Sequence, residues 1–159
     1  MNNYLETNIN TPIGITCIKG SNDGIISISV IEDGIVSVNH PKELQLAVDQ
    51  LGEYFLGERT IFTFPIIPEG TPFQQEVWKA LRNIPYGTTT SYLELSRTLG
   101  DEKAIRAVAS ANGKNPLWIV IPCHRVIGKD GSLTGYAGGL WRKRWLLEHE
   151  NPPFQQSLF

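Results

Sequence analysis

TSYLELSRTLGDEKAIRAVASANG (residues 90–113) holds two short helical patterns with almost nothing between them. The first, TSYLELSRTLG, is amphipathic and closes at Gly100; the second, EKAIRAVASANG, closes at Gly113. Only LGDEK joins them, and two helices on so tight a turn predict a helix-turn-helix. Alone the signal is weak, because many cores contain such a pair. Its surroundings must decide.

Upstream, TPFQQEVWKALRNI begins with a Thr cap and Pro at the first helical position, and puts Phe73, Val77, Trp78 and Leu81 on one face. Before it, residues 60–72 (TIFTFPIIPEGTP) hold three prolines and a glycine, which marks a domain boundary. Residues 9–39 read as β-structure: IGITCIKG, GIISISVIED and GIVSVNH are β-branched runs separated by Asn-Asp-Gly and Glu-Asp-Gly turns. PKELQLAVDQLGEYFLGE then predicts a helix with Leu44, Val48, Leu51 and Phe55 at helical spacing and a stop at Gly57. The expected fold class is α/β (α+β). A small antiparallel-sheet domain over residues 1–65 precedes a mostly helical domain over 66–150 with the helix-turn-helix, and a tail covers 151–159.

The chain has 159 residues and a net charge of −2. That small number conceals a division. Residues 1–70 carry 3 basic and 9 acidic groups, whereas residues 71–145 carry 11 basic and 5 acidic groups. A basic back half on an acidic front half suits a module that faces DNA. No apolar run approaches the roughly 20 residues of a membrane span, so no membrane association is expected. MNNYLETNIN has neither a basic n-region nor an apolar h-region, so no secretory signal is expected and the cytoplasm is the expected compartment. Cys17 and Cys123, 106 positions apart, do not form a disulfide framework.

Cys123 sits in IPCHRVI (residues 121–127) and admits several readings. Free cysteines are often plain buried residues. Zinc needs three or four N/S ligands, usually in local pairs, and Cys17, Cys123, His40, His124 and His149 make none; no metal is expected. The run WIVIPC continuing into His124 and Arg125 favours a reactive thiol, since imidazole and guanidinium groups stabilise thiolate. A nucleophile needs a base, and the base an orienting group. Glu150, ending RKRWLLEHE, is placed to serve His124, with a water between the imidazole and the thiol. A cysteine hydrolase and a non-catalytic DNA-binding regulator remain the alternative classes.

NPLWIVIPCHRVIGKDGSLTGYAGGLWRKRWLLEHE, preceded by PYGTTTSYLELSRTLG and AIRAVASANGKNP, resembles the O6-alkylguanine-DNA alkyltransferases over residues 71–150. The first 70 residues share only the general layout, for which the family implies a ribonuclease H-like domain. The resemblance implies direct reversal of DNA damage: the alkyl group of O6-alkylguanine, or of O4-alkylthymine, moves irreversibly to the protein's own cysteine. It implies Cys123 as acceptor with His124 and Glu150 as relay, Asn115 as the brace of the active-site turn, and Tyr92 as proton donor to guanine N3. Arg106 matches the finger that fills the gap of the flipped nucleotide, amid Ala104, Ala107 and Ala109. Small side chains on that helix let its backbone approach the minor groove. Lys114, Arg125, Lys129 and Lys143 are candidates for phosphate or surface contact, with plain solvated charges as the equal alternative. The attacked carbon is reached only on a flipped base. Tyr136 is expected over that base, the Val126 and Cys123 carbonyls at its amine, and Gly138 beside the alkyl group. Ala137 departs from members with a serine there and offers O6 only its backbone N–H. The expected partner is double-stranded DNA carrying the lesion, with no cofactor and a monomeric protein.

The end of the chain, Gln155-Gln156-Ser157-Leu158-Phe159, resembles the Gln-x-x-Leu-Phe peptide that docks bacterial repair and replication proteins on the sliding clamp. Gln155, Leu158 and Phe159 would make the contact. The competing expectation is a tail folded on its own domain.

Overall fold

The structure, a computed structural model, describes residues 3–133 and 135–152. The expected clamp-docking residues Gln155, Leu158 and Phe159 lie outside the described residues. The chain divides into two compact units: residues up to Glu69 together with Pro116–Trp118, and Gly70–Asn115 together with the residues from Ile119 onward.

In the first unit, β1 (Leu5–Thr11), β2 (Gly14–Ser21) and β3 (Gly24–Val30) form an antiparallel meander in that order. The register runs Ile18↔Ile28 and then Gly20↔Ile25, so Ile26 is an extra residue opposite Lys19/Gly20. That bulge turns Ile25 and Ile28, three apart, into the same core with Ile13 and Ile18. Ile25 and Ile28 also bridge in parallel to Ile66 and Leu117, so chain from far downstream extends the sheet. Helix α1 (Gln45–Phe55) follows a 3₁₀ turn at Lys42–Leu44.

Two expectations are corrected here. GIVSVNH is no strand: it passes β1 with single bonds, Ser37 N–H to the Asn8 carbonyl and Asn8 N–H to Ser37 Oγ. Its Ile35 and Val38 are 85% and 92% exposed, so no buried face holds it in a ladder. The buried face of α1 is Ala47, Gln50, Leu51 and Tyr54 rather than Val48 and Phe55. The 3₁₀ turn shifts the phase, and Gln50 is kept inside by donating to Thr63 Oγ1 and accepting from Thr63 N–H.

The second unit is built from α2 (Pro72–Leu81), α3 (Tyr92–Thr98), α4 (Ile105–Gly113) and α5 (Leu140–Glu150). A two-residue parallel pair, β4 (Thr90–Ser91) and β5 (Val126–Ile127), ties the segment before α3 to the segment after Cys123. Thr71 caps α2 through a capping box with Gln74, with Pro72 just inside. Val77, Trp78 and Leu81 are buried, while Phe73, expected among them, is 38% exposed. Trp78 Nε1 donates to the Ala111 carbonyl at 2.9 Å and docks α2 on α4. Helix α3 ends at Gly100 (φ 89°), and a 3₁₀ turn at Glu102–Ala104, capped by Asp101, leads into α4. This is the helix-turn-helix. No helix among the described residues is long and apolar enough to cross a membrane.

Candidate active site

Helix α4 has two unlike sides. Val108, Ala111 and Asn112 are buried, whereas Arg106, Ala107 and Ser110 face out, with Ala104 and Ala109 half-buried. The outward side thus carries one long cation, Arg106, among small residues, with Ile105 38% exposed at the start of the helix. Lys114 and Lys129 are also exposed.

After α4 the chain makes the turn that holds the thiol. Asn115 is buried, and its Nδ2 donates to the Ile121 carbonyl at 2.7 Å. Between them Ile119 adopts φ 74°, a left-handed conformation that costs a β-branched residue of order 1–3 kcal/mol. The surroundings hold it, since Ile119 and Ile121 are buried in the core. Cys123, His124 and Arg125 then form one 3₁₀ turn, all buried. The Cys123 carbonyl, expected at the guanine amine, accepts from Val126 N–H and, at 3.5 Å, from Asn112 Nδ2.

Burial pushes the Cys123 thiol up to about 11, against the Asn115 amide and the Lys143 charge, which lower it. The thiol is therefore protonated at neutral pH. The His124 Nε2 and Glu150 Oε2 lie 2.7 Å apart, with both side chains fully out of solvent. Burial alone would raise the Glu150 carboxyl, but hydrogen bonds from His124 and Arg125 and the guanidinium charge outweigh it and hold Glu150 well below the usual carboxylate range. An ionised Glu150 only accepts, so His124 Nε2 carries the hydrogen and Nδ1 keeps its lone pair. Burial also lowers His124, assisted by Arg125 and Lys143 and opposed by Glu150, so the imidazole is neutral. Its Nδ1 has no hydrogen-bond partner among the described residues.

Two expected phosphate contacts are corrected. Arg125 is 6% exposed; its Nε donates to Glu150 Oε1 at 2.8 Å and its Nη1 to the Ile84 carbonyl at 2.7 Å. A guanidinium so engaged cannot reach a phosphate. Lys143 is wholly buried and lowered by that burial to about 8; a thiolate at Cys123 would oppose the shift. Between Arg142 and Arg144 in RKRWLLEHE it reads as one more surface cation, and only the rotation of α5 reveals otherwise. Asn112, read only as helix end, is a further buried group that the sequence left unmarked.

Of the remaining expected pocket residues, Tyr92, Tyr136 and Ala137 share one cleft, and Val126 and Gly138 are not among its lining residues. An open cleft of about 420 Å³ is lined by Tyr92, Ala109, Gly113, Gly135, Tyr136 and Ala137. Burial raises the Tyr136 hydroxyl, and a thiolate at Cys123 would raise it further. Val126 is buried in β5. Gly138 is buried too, and its carbonyl accepts from Arg142 Nη1 at 2.9 Å, which ties the loop to the first turn of α5. Among the described residues no three His, Cys, Asp or Glu side chains gather as a metal site.

A helix-turn-helix beside a buried thiol with an imidazole–carboxylate pair points to cysteine chemistry performed on DNA. Comparison with known proteins agrees. Residues 72–152 match the 6-O-methylguanine DNA methyltransferase, DNA binding domain, and residues 4–68 match the ribonuclease-like domain of the same family. A methylated-DNA–protein-cysteine methyltransferase of Mycobacterium bovis is 48% identical, over 95% of this chain and 96% of that one. One from Mycolicibacterium paratuberculosis is 42% identical over the same shares. Among solved structures, an O6-methylguanine methyltransferase of Mycobacterium tuberculosis superposes with a TM-score of 0.84 at 44% identity, covering 93% of each chain. The OGT of Mycobacterium tuberculosis in complex with DNA gives 0.82 at 46% identity, covering 92% of this chain and 91% of that one. The chain belongs to the 6-O-methylguanine DNA methyltransferase family.

Proposed function

We propose that this protein repairs DNA by direct reversal, taking the alkyl group of O6-alkylguanine onto Cys123 once and irreversibly. The observation that carries this reading is the buried Cys123-His124 turn closed by Glu150, in a chain of this family. DNA approaches the small-residue face of α4, where Ala104, Ala107 and Ala109 allow close contact and Arg106 fills the space left by the flipped nucleotide. The flipped base enters the Tyr92–Tyr136 cleft.

The thiol proton passes through a water to His124 Nδ1, while His124 Nε2–H stays hydrogen-bonded to the Glu150 Oε2 acceptor. Sulfur attacks the alkyl carbon, the carbon–O6 bond breaks, and its electron pair leaves with guanine. Tyr92 donates a proton to N3 and regains one from the imidazolium through solvent. The products are S-alkylated Cys123 and unmodified guanine. No carrier is consumed, because guanine is itself the leaving group. Asn115 braces the turn by its bond to the Ile121 carbonyl. Ala137, with no hydroxyl, leaves O6 only a backbone donor, and Gly138 leaves space for the alkyl group. A turnover hydrolase and a non-catalytic regulator are not favoured, since neither is what the relatives are named for.

Incubation with a duplex bearing one O6-methylguanine, followed by intact mass, tests this. A stoichiometric gain of one methylene on the Cys123 peptide without turnover is expected. No gain, or a gain that persists in Cys123→Ser, overturns it. The same assay with O4-methylthymine reads the second substrate. Sedimentation without DNA checks the expected monomer. The tail is proposed to dock on the bacterial sliding clamp: deleting residues 155–159 should abolish clamp retention while alkyl transfer on short duplexes is unchanged. Unaltered retention ends that idea.

A further inference from the structure

Arg125 has no part in the alkyl-transfer reading above, yet it is the most completely engaged cation of the site. On that reading of His124 as base, we propose that Arg125 is a positioning residue that keeps His124 a neutral base, by supplying Glu150 with its countercharge in the imidazole's place. The guanidinium meets both carboxylate oxygens: Nε donates to Oε1 at 2.8 Å and Nη2 to Oε2 at 3.1 Å. The third nitrogen donates to the Ile84 carbonyl, and the Tyr86 ring lies 5.7 Å from the guanidinium carbon. Gly87 N–H adds a long contact to Oε1 at 3.4 Å. The carboxylate cannot move to follow the imidazole.

Charge counting gives the consequence. The His124, Glu150 and Arg125 side chains are 0%, 1% and 8% exposed, so they interact with little screening. With Arg125 present the trio is electrically neutral when His124 is neutral, and a proton on the imidazole would leave a buried net charge. Without Arg125 the neutral arrangement is imidazolium with carboxylate, and His124 has no lone pair for the thiol proton. Lys143, on α5, is the other cation that disfavours imidazolium. The Tyr86 and Tyr136 hydroxyls both feel the Glu150 charge, and Cys123 is the chain neighbour; all three are uncharged at neutral pH. A lysine at 125 would be a point charge unable to span both oxygens and the Ile84 carbonyl.

The experiment combines ring-nitrogen NMR of His124 in the DNA-free full chain with single-turnover alkyl transfer against pH. The wild-type imidazole should be neutral at pH 7, with the hydrogen on Nε2. In Arg125→Gln its titration midpoint should rise by about 1–3 pH units, and the acid limb of the transfer rate should rise with it. Arg125→Gln/Glu150→Gln removes both charges and should bring both midpoints back toward wild type, which a purely structural role for Arg125 would not do. An imidazolium in the wild type at pH 7 overturns the proposal, whatever the variants' folding. So does an Arg125→Gln protein with unmoved midpoints. If the wild type transfers no alkyl group at any pH, the alkyl-transfer reading fails, and the NMR titration still judges Arg125 by itself.

Discussion

Cys123 stores its reactivity rather than displaying it. A thiol pushed up to about 11 carries about 100-fold less thiolate than one at the ordinary value of 9.0, since each unit is tenfold. DNA-free protein should therefore react with iodoacetamide at pH 8 at least that much more slowly than a free thiol, and unfolding in urea should abolish the difference. A rate near that of a free thiol would show that burial does not protect the sulfur. Lys143→Met removes the buried cation that favours thiolate and should slow that residual reaction at pH 7 by on the order of 10-fold. Circular dichroism would check that the fold is kept. Gly87 matters in a different way: its φ is 78°, and a Cβ there would lie 3.2 Å from the Glu150 carbonyl. Gly87→Ala should thus cost of order 1–2 kcal/mol in urea denaturation, from the left-handed conformation alone.

Single elements divide into those held by their own residues and those placed by neighbours. Helix α2 is of the first kind, with Thr71, Pro72 and Gln74 announcing its start before any packing is known. Thr71→Ala should lose about 0.5–2 kcal/mol of stability, read from the urea midpoint, and leave alkyl transfer per folded molecule intact. The helix-turn-helix was legible for the same reason, because Gly100 and Asp101 serve local roles at its turn. The stretch 34–40 is of the second kind. Its β-branched residues promise a strand, but a strand needs an edge to pair with and a face to bury, and sequence reports neither. On α4, Ala107→Leu should weaken duplex binding measurably while leaving the melting temperature within a degree or two, because Ala107 is exposed.

Across the whole chain, acid should be the weak point. Burial depresses His124 below the usual imidazole value of 6.5, so the unfolded chain binds the proton that the folded chain refuses. The stability so contributed is present above 6.5 and is lost progressively as pH falls below it. Thermal melting at pH 7 and pH 5.5 should show a lower midpoint at the acid value. His124→Gln should shrink the difference, and an equal drop in both proteins would remove the imidazole from the account. The acidic front and basic back of the chain are likewise properties of the whole, and no single motif carries them.

The sequence by itself determined the α/β class and the helix-turn-helix, because helix caps and turn residues act through residues close together in the chain. The roles of Cys123, His124, Glu150, Asn115 and Tyr92 came with the family resemblance and stand as proposals. Tertiary structure alone decided the fate of the cations. Arg125, Lys143, Lys114 and Lys129 look alike in sequence, yet the first is locked on Glu150, the second is buried, and the last two are exposed. A charge takes its meaning from its partner and its solvent exposure, and both are set by residues tens of positions away: Ile84 and Glu150 for Arg125, the rotation of α5 for Lys143. Cys123 rests as a buried, protonated thiol, and its neighbours His124 and Arg125 in the chain do not record that burial. Desolvation comes from the sum of everything packed around a group, and no local pattern in the chain records that sum.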